Sequence, residues 1–404
     1  MRSPFTNPVT VIFTMQYPKD VVIVGGVRTA HGKFKGSLFH TSAVELGAIA
    51  IEETLKQTGL DAELVDEVIM GNVLSAGIGQ HPARQSAIKG GIPEEIPALT
   101  VNKMCGSSMK AIMLAANSIR AGESKIMIAG GMESMSQSPF TVARSKDGKV
   151  SMEKPVDSMM HDGLIDSFNG MIMAQTGNRI AEKFDITREE ADLFAIESHI
   201  RAHNAHKKGK FNEYHISVEH DEGILKTDEG IRPNSSLESL SKLKPVFDEN
   251  GIVTAGNASQ ISDGAAACLI MSREKAEELE LAPLATITGY CATGVNPADV
   301  MSAPIPTVEK LWKTNNREGE NDYDLYEHNE AFASASLGVM QGLNLKHEKL
   351  NVNGGAIAIG HPLGASGCRI VLALIHALRQ SGGKRGFATA CLGGGMATAI
   401  EVEL

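Results

Sequence analysis

The chain has 404 residues, more than one small core needs and enough for two or three compact units of ordinary size. Apolar residues make up 42% and charged residues 21%, which excludes a disordered chain, and a net charge of -10 argues against a nucleic-acid binder while leaving room for a local phosphate-holding spot. Five cysteines, at 105, 268, 291, 368 and 391, are odd in number and scattered, without CxxC or Cys/His ligand spacing. They predict free thiols in a reducing compartment, with neither a disulfide framework nor a metal site.

In chain order, MRSPFTNPVTVIFTMQYPKD carries one Arg and no signal-like apolar core, so residues before about Met15 read as an extension outside the fold. No apolar run reaches membrane-spanning length and the ending EVEL is not a sorting signal; a cytoplasmic location away from membranes is expected. Val21–Val24 predicts a buried strand, Ala43–Gln57 a helix ending at Gly59, Val68–Val73 a second strand and Gln85–Lys89 a short helix. This alternation predicts an α/β fold with a largely parallel sheet. From about Ser134 to Ser262 the texture turns to Met, Ser, Asp and charged residues, interrupted by an amphipathic helix near Arg188–Lys207. That stretch reads as a long excursion from the core, a lid or binding subdomain, after which ISDGAAACLIMS resumes a buried-strand pattern.

An internal echo organises the rest. Val101-Asn102 leads into a small-residue turn (Cys105 to Ser108), a helix (Met109–Arg120) and the strand IMIAGGM. Val352-Asn353 leads into a Gly-rich loop, a helix (Cys368–Arg379) and FATACLGGGM. Two copies of one α/β unit related by pseudo-symmetry explain the recurrence; chance similarity of two strand–helix units is the alternative.

Chemistry-bearing residues cluster in these turns. Cys105 precedes a helix whose apolar face is Met109, Ile112, Met113, Ala116 and Ile119. A thiol at a helix N-terminus faces backbone N–H groups and the positive dipole end, which predicts a lowered pKa and a nucleophile; the alternative is a buried structural cysteine. His361 lies in GGAIAIGHPLGASG, between a tight glycine loop and Pro362, as a candidate base for a thiol or a loop histidine satisfied by backbone. The loop lacks the Gly-Lys-Ser/Thr of a phosphate-binding loop. Cys391 begins CLGGGM, where three glycines form a chain reversal with N–H groups able to hold an oxyanion, or simply a hairpin beside a buried thiol. EHNEAF places Glu327, Asn329 and Glu330 at one bend after a strand-like YDLY, with a helix-cap role for Asn329 as the alternative.

NKMCGSSMKA, GGMESMS, TAGNASQISDGAAA, EHNEAFA, GGAIAIGHPLGASG and CLGGGMA closely resemble the motif series of the thiolases, in that family's order, from about residue 20 to the C-terminus. The resemblance implies a thiolase-like α/β fold: two pseudo-symmetric halves in a layered α-β-α-β-α core, spanning 18–277, with a loop subdomain at about 134–262, and 282–404. It implies that Cys105 carries the acyl group as a thioester and that His361 activates it. Cys391 would take the proton from C2 of a second acyl-CoA. Asn329 would position a water that, with His361, stabilises the enolate, and the amides of Cys105 and Gly393 would form the other oxyanion hole. Ser259 and Ala255 would line the pantetheine channel, Leu164, Met173, Met301 and Phe332 would surround the cofactor, and Arg232 would sit near its nucleotide end. Coenzyme A thioesters are then substrates with no permanently bound cofactor, and a homodimer or homotetramer is expected.

The chain departs from the family pattern in several places. Ser108 stands where Gly is usual, and Ile172-Met173-Ala174 where many short-chain thiolases carry His-Met-Gly. MSAPIP is one residue shorter than the usual form, and His328 has no role that the motifs supply. Cys268, Cys291 and Cys368 read as structural. The preferred activity is acetyl-CoA C-acetyltransferase, with a broader 3-ketoacyl-CoA thiolase as the enzyme alternative. An acyl-CoA-binding subunit that kept the fold is the non-enzyme one.

Overall fold

The computed structural model describes residues 20–150 and 154–404, so the proposed extension before Met15 lies outside the described residues. Nine principal strands form, most of them runs of Val, Ile and Ala buried on both faces, with Ala98–Val101 and Ala285–Gly294 the more exposed ones. They are β1 (Val21–Thr29), β2 (Glu67–Gly71), β3 (Ala98–Val101), β4 (Ile126–Ser134), β5 (Ser262–Ser272), β6 (Ala285–Gly294), β7 (Leu325–His328), β8 (Arg385–Leu392) and β9 (Met396–Glu403). Eight helices have eight residues or more among the described residues: α1 (Ala43–Thr58), α2 (Pro82–Lys89), α3 (Ser107–Ala121), α4 (Met173–Lys183), α5 (Arg188–Lys207), α6 (Pro304–Thr314), α7 (Ala333–Leu343) and α8 (Ser366–Ser381).

The strands follow the order β7-β8-β9-β6-β1-β5-β4-β2-β3. The sheet is mixed, which corrects the largely parallel one expected. Only β2–β3, β2–β4 and β7–β8 pair in parallel along this path, while β1–β5, β5–β4, β1–β6, β6–β9 and β8–β9 run antiparallel. The reason is local at β8–β9: Gly393-Gly394-Gly395 turns the chain in three residues, and so short a connection joins only antiparallel strands. At β4–β5 the long excursion returns the chain in the antiparallel sense.

The echo in the sequence is an echo in topology. From the centre outward one half runs β1-β5-β4-β2-β3 and the other β6-β9-β8-β7, with Leu350 bridging Tyr326 in parallel where β3 would have its counterpart. The halves join through two residue pairs, Val22–Thr286 and Ile23–Ala285. Helices α3 and α8 pack on each other and touch strands of both halves, while α1 and α2 cover the outside of one half and α6 the outside of the other. The central layer is apolar: Met109, Ile112, Ala116 and Ile119 of α3 and Ile370, Leu372 and Leu374 of α8 are all fully buried. Each large side chain buried there contributes about 1.5–3 kcal/mol.

Helix ends follow the sequence closely. Ser42 and Glu45 form a reciprocal capping box at the start of α1, and Gly59 closes it at φ 66°. Thr187 and Glu190 do the same for α5, which spans the predicted Arg188–Lys207. Among the described residues no helix is long and apolar enough to cross a membrane.

The halves meet too closely at one point for any side chain. A Cβ on Gly131 of β4 would lie 2.0 Å from the carbonyl oxygen of Gly364, in the loop that carries His361. Backbone cannot rotate away as a side chain can. Gly131→Ala is therefore expected to destabilise the protein by about 2–3 kcal/mol, read as a lowered thermal midpoint, and to lower activity with it.

Candidate active site

Four loops from both halves converge. Cys105 lies between β3 and α3, Asn329 directly after β7, His361 five residues before α8, and Cys391 near the end of β8 with Gly393 in the turn beyond. Cys105, His361, Cys391 and Gly393 line one cavity with about 430 Å³ of empty space. The spatial convergence that the motifs demand is present.

The Cys105 loop is tightly tied. Ser107 Oγ accepts from the Lys103 amide at 2.8 Å and donates to the Met104 carbonyl at 2.6 Å, and Asn102 Oδ1 accepts from the Met104 amide at 3.0 Å. These bonds hold Met104 at φ 50°, a left-handed conformation a non-glycine residue adopts only when its surroundings enforce it. Gly106 leaves room for Leu392, whose side-chain tip would lie 2.4 Å from a Cβ there and would have to shift. Ser108, the departure from glycine, accepts from the Cys368 amide at 2.9 Å and so stitches α3 to α8.

The expectation of a lowered Cys105 pKa is overturned. Burial pushes the thiol up to about 12, and the charge of Glu133 adds to it, outweighing the N–H groups of Cys105 and Gly393 that favour the thiolate. Among the described residues no cation acts on the sulfur strongly enough to reverse this. Burial also pushes Cys391 upward, with the Cys105 charge next, and its Sγ lies 3.7 Å from Met301 Sδ.

His361 is buried, and burial, with Arg369 second, holds its pKa down to about 3. Its Nδ1 lies 2.6 Å from Ser366 Oγ, whose hydroxyl donates to the Pro362 carbonyl at 2.8 Å. Ser366 therefore accepts from Nδ1–H, which leaves Nε2 with a free lone pair. Asn329 Nδ2 approaches that Nε2 at 3.3 Å. At rest the site holds a thiol and a neutral imidazole rather than an ion pair. Alkylation of Cys105 by iodoacetamide, located by peptide mapping, is accordingly expected to rise steadily from about pH 6 to about pH 9. A plateau in that range would reveal a preformed thiolate.

Leu164, Met173, Ser259, Met301 and Phe332 also line the catalytic cavity. An adjoining, mostly apolar chamber with about 580 Å³ of empty space shares Leu164, Met173, Ser259 and Phe332 and adds Ile172 and Met135. Ala255 is exposed and on neither wall; Ala258 lines the outer chamber. Arg232 is exposed and also on neither wall, with its amide donating to His199 Nδ1 at 3.1 Å. His328 packs away from the cavity, its Nδ1 2.9 Å from Ser336 Oγ.

Sequence reasoning left Glu133, Ser366 and Arg369 without roles. Glu133 accepts from Asn72 Nδ2 and from the amides of Val73, Leu74 and Gly364 at 2.9–3.1 Å, pinning the His361 loop to the end of β2. Its signal was a carboxylate inside a wholly buried strand. Ser366 and Arg369 stand three apart at a helix start, hence on one face.

His206, His215 and Asp228 bring possible metal-ligand atoms within 4.8 Å of one another. Arg28, however, grips both oxygens of Asp228 at 2.6 and 2.8 Å, and the His31 amide and His206 Nε2 add contacts at 3.0 and 3.1 Å. The guanidinium supplies the positive charge a metal would bring, so this is a buried ion pair fastening β1 to the excursion.

Two family models match: "Thiolase, N-terminal domain" over residues 21–274 and "Thiolase, C-terminal domain" over 281–404. The chain is 49% identical over 390 residues to an acetyl-CoA acetyltransferase of Cupriavidus necator, covering 95% of this chain and 99% of that one. It is 48% identical to a probable acetyl-CoA acyltransferase of Staphylococcus aureus, covering 95% and 98%. The solved structure of human mitochondrial 3-ketoacyl-CoA thiolase superimposes with a TM-score of 0.92 at 39% identity, covering 96% of this chain and 99% of that one. Its complex with CoA gives the same TM-score and identity, covering 96% and 98%. The chain belongs to the thiolase family.

Proposed function

We propose that this protein is an acetyl-CoA C-acetyltransferase, condensing two acetyl-CoA to acetoacetyl-CoA and CoA and running the reverse thiolysis. The observation that carries the reading is the placement of two sulfurs, an unprotonated imidazole nitrogen and the Gly393 turn around one small apolar cavity.

In the first half-reaction, His361 Nε2 takes the Cys105 proton as the sulfur attacks a thioester carbonyl, and the tetrahedral adduct collapses as CoA leaves as a thiol carrying the Cys391 proton. The amides of Cys105 and Gly393, which already face the Cys105 sulfur, receive the developing oxyanion. Each such donor contributes about 3 kcal/mol to the transition state. In the second, the Cys391 thiolate left by that proton transfer removes a proton from C2 of the next acetyl-CoA. A water positioned by Asn329, together with the now protonated His361, stabilises the enolate oxygen while the carbon attacks the acyl group on Cys105; Cys105 then leaves as a thiolate and recovers its proton from His361. Coenzyme A thioesters enter as substrates past Leu164, Met173, Ser259 and Phe332, with Met301 beside Cys391.

A broader 3-ketoacyl-CoA thiolase is the second reading, favoured by Ile172 and Met135 on the wall of the outer chamber. Thiolysis of acetoacetyl-CoA and of a long-chain 3-oxoacyl-CoA, compared as kcat/KM, separates the two. A clear preference for acetoacetyl-CoA supports the first reading, and equal or better use of the long chain supports the second. A homodimer or homotetramer is the proposed assembly. Strand β3 ends the sheet, and its chain runs straight into the Cys105 loop. The five unpaired cysteines fit a reducing compartment such as the cytoplasm.

A further inference from the structure

Arg369 is fully buried on the first turn of α8, a costly position for a permanent charge. Among the described residues its side chain makes one hydrogen bond: Nη2 donates to Asn329 Oδ1 at 3.3 Å, while Nε and Nη1 have no protein partner. Burial works against its charge, Glu327 and Glu330 favour it, and the like charge of Arg28 opposes it.

A guanidinium can only donate, so it fixes which end of the Asn329 amide faces it. With Oδ1 held by Arg369, Nδ2 must point the other way, toward His361 Nε2 at 3.3 Å. The far end is fixed as well, because Ser366 donates to Pro362 and accepts from His361 Nδ1. The chain Arg369, Asn329, His361, Ser366, Pro362 therefore has a single direction of donation throughout.

The reverse register is chemically different. If the Asn329 amide turned over, Oδ1 would face Nε2 and favour a proton there, and Nδ1 would accept from Ser366. An imidazole in that tautomer cannot take the Cys105 proton. We propose that Arg369 is a positioning residue that orients the Asn329 amide and thereby keeps His361 Nε2 unprotonated, in the tautomer able to accept a proton. The inference rests on the roles of Asn329 and His361 given under the proposed function.

The test is a double-mutant cycle on acetoacetyl-CoA thiolysis with Arg369→Met, Arg369→Lys, Asn329→Ala and the Arg369→Met/Asn329→Ala pair. Arg369→Met is expected to lower kcat about 10- to 100-fold with little change in KM, and to slow acetylation of Cys105 by acetyl-CoA. Arg369→Lys keeps a cationic donor and is expected to recover most of the loss. If Arg369 acts through Asn329, the pair is no slower than Asn329→Ala alone. Multiplying losses, or an Arg369→Met enzyme within twofold of wild type while Asn329→Ala is impaired, overturns the positioning role and leaves the proposed function intact. No loss in either single variant overturns the Asn329 assignment and the positioning role together. Should Arg369→Met fail to fold, the same cycle run with Arg369→Lys decides: its partial loss must vanish in the Asn329→Ala background.

Discussion

Serine in place of Cys105 is expected to leave the fold intact and to lower thiolysis by at least about 10³-fold, with no acetyl group retained after incubation with acetyl-CoA. The swap is nearly isosteric, and Cys105 sits in a loop whose shape is set by Asn102, Ser107 and Gly106 rather than by the thiol. The loss therefore reads the chemistry of sulfur rather than a collapsed site. A hydroxyl is a poorer nucleophile than a thiol toward a thioester. Its proton is also harder to remove than a thiol's, so the same imidazole activates it less well. Intact mass of wild type and variant, measured side by side, checks this: one acetyl increment on the former and none on the latter. An acetyl increment on both would place the acyl group elsewhere.

Alanine in place of Cys391 is expected to divide the two half-reactions. Deprotonation of Cys105 falls to the His361–Ser366 pair, so acetylation of Cys105 should still proceed, with water replacing Cys391 as the proton source for the leaving CoA. Condensation needs a base at C2 of the second thioester, and no other titratable side chain lines that cavity besides Cys105 and His361. Condensation is expected to fall by about 10³-fold or more while the acetyl-enzyme accumulates. Two quantities measured on one sample, acetyl increment and acetoacetyl-CoA formed, must move in opposite directions.

Much of this arrangement was legible before any coordinates. The helix end at Gly59 and the glycines of CLGGGM act within a few residues, so the sequence carries them openly. The echo between the Cys105 and His361 regions foretold the two like halves for the same reason: each unit is defined by its own turn, helix and strand.

What was not legible depends on partners far apart in the chain. Strand direction required knowing that β5 returns beside β4 after the long excursion. The Cys105 pKa was misjudged because a helix N-terminus is visible in a sequence and desolvation is not. Arg369 carries no local signal, because its partner, Asn329, lies forty residues earlier in the chain. Among the transferred contacts, five of seven line the cavity; Ala255 and Arg232 lie on the surface.

The most direct test of the account is to trap the acyl group and find it. Cys391→Ala protein is incubated with acetyl-CoA, digested, and the acetylated peptide identified by mass spectrometry. The account predicts a single thioester, on Cys105, in the peptide that bears NKMCGSSMK. An acetyl group on Cys268, Cys291, Cys368 or any lysine, with Cys105 unmodified, would contradict it.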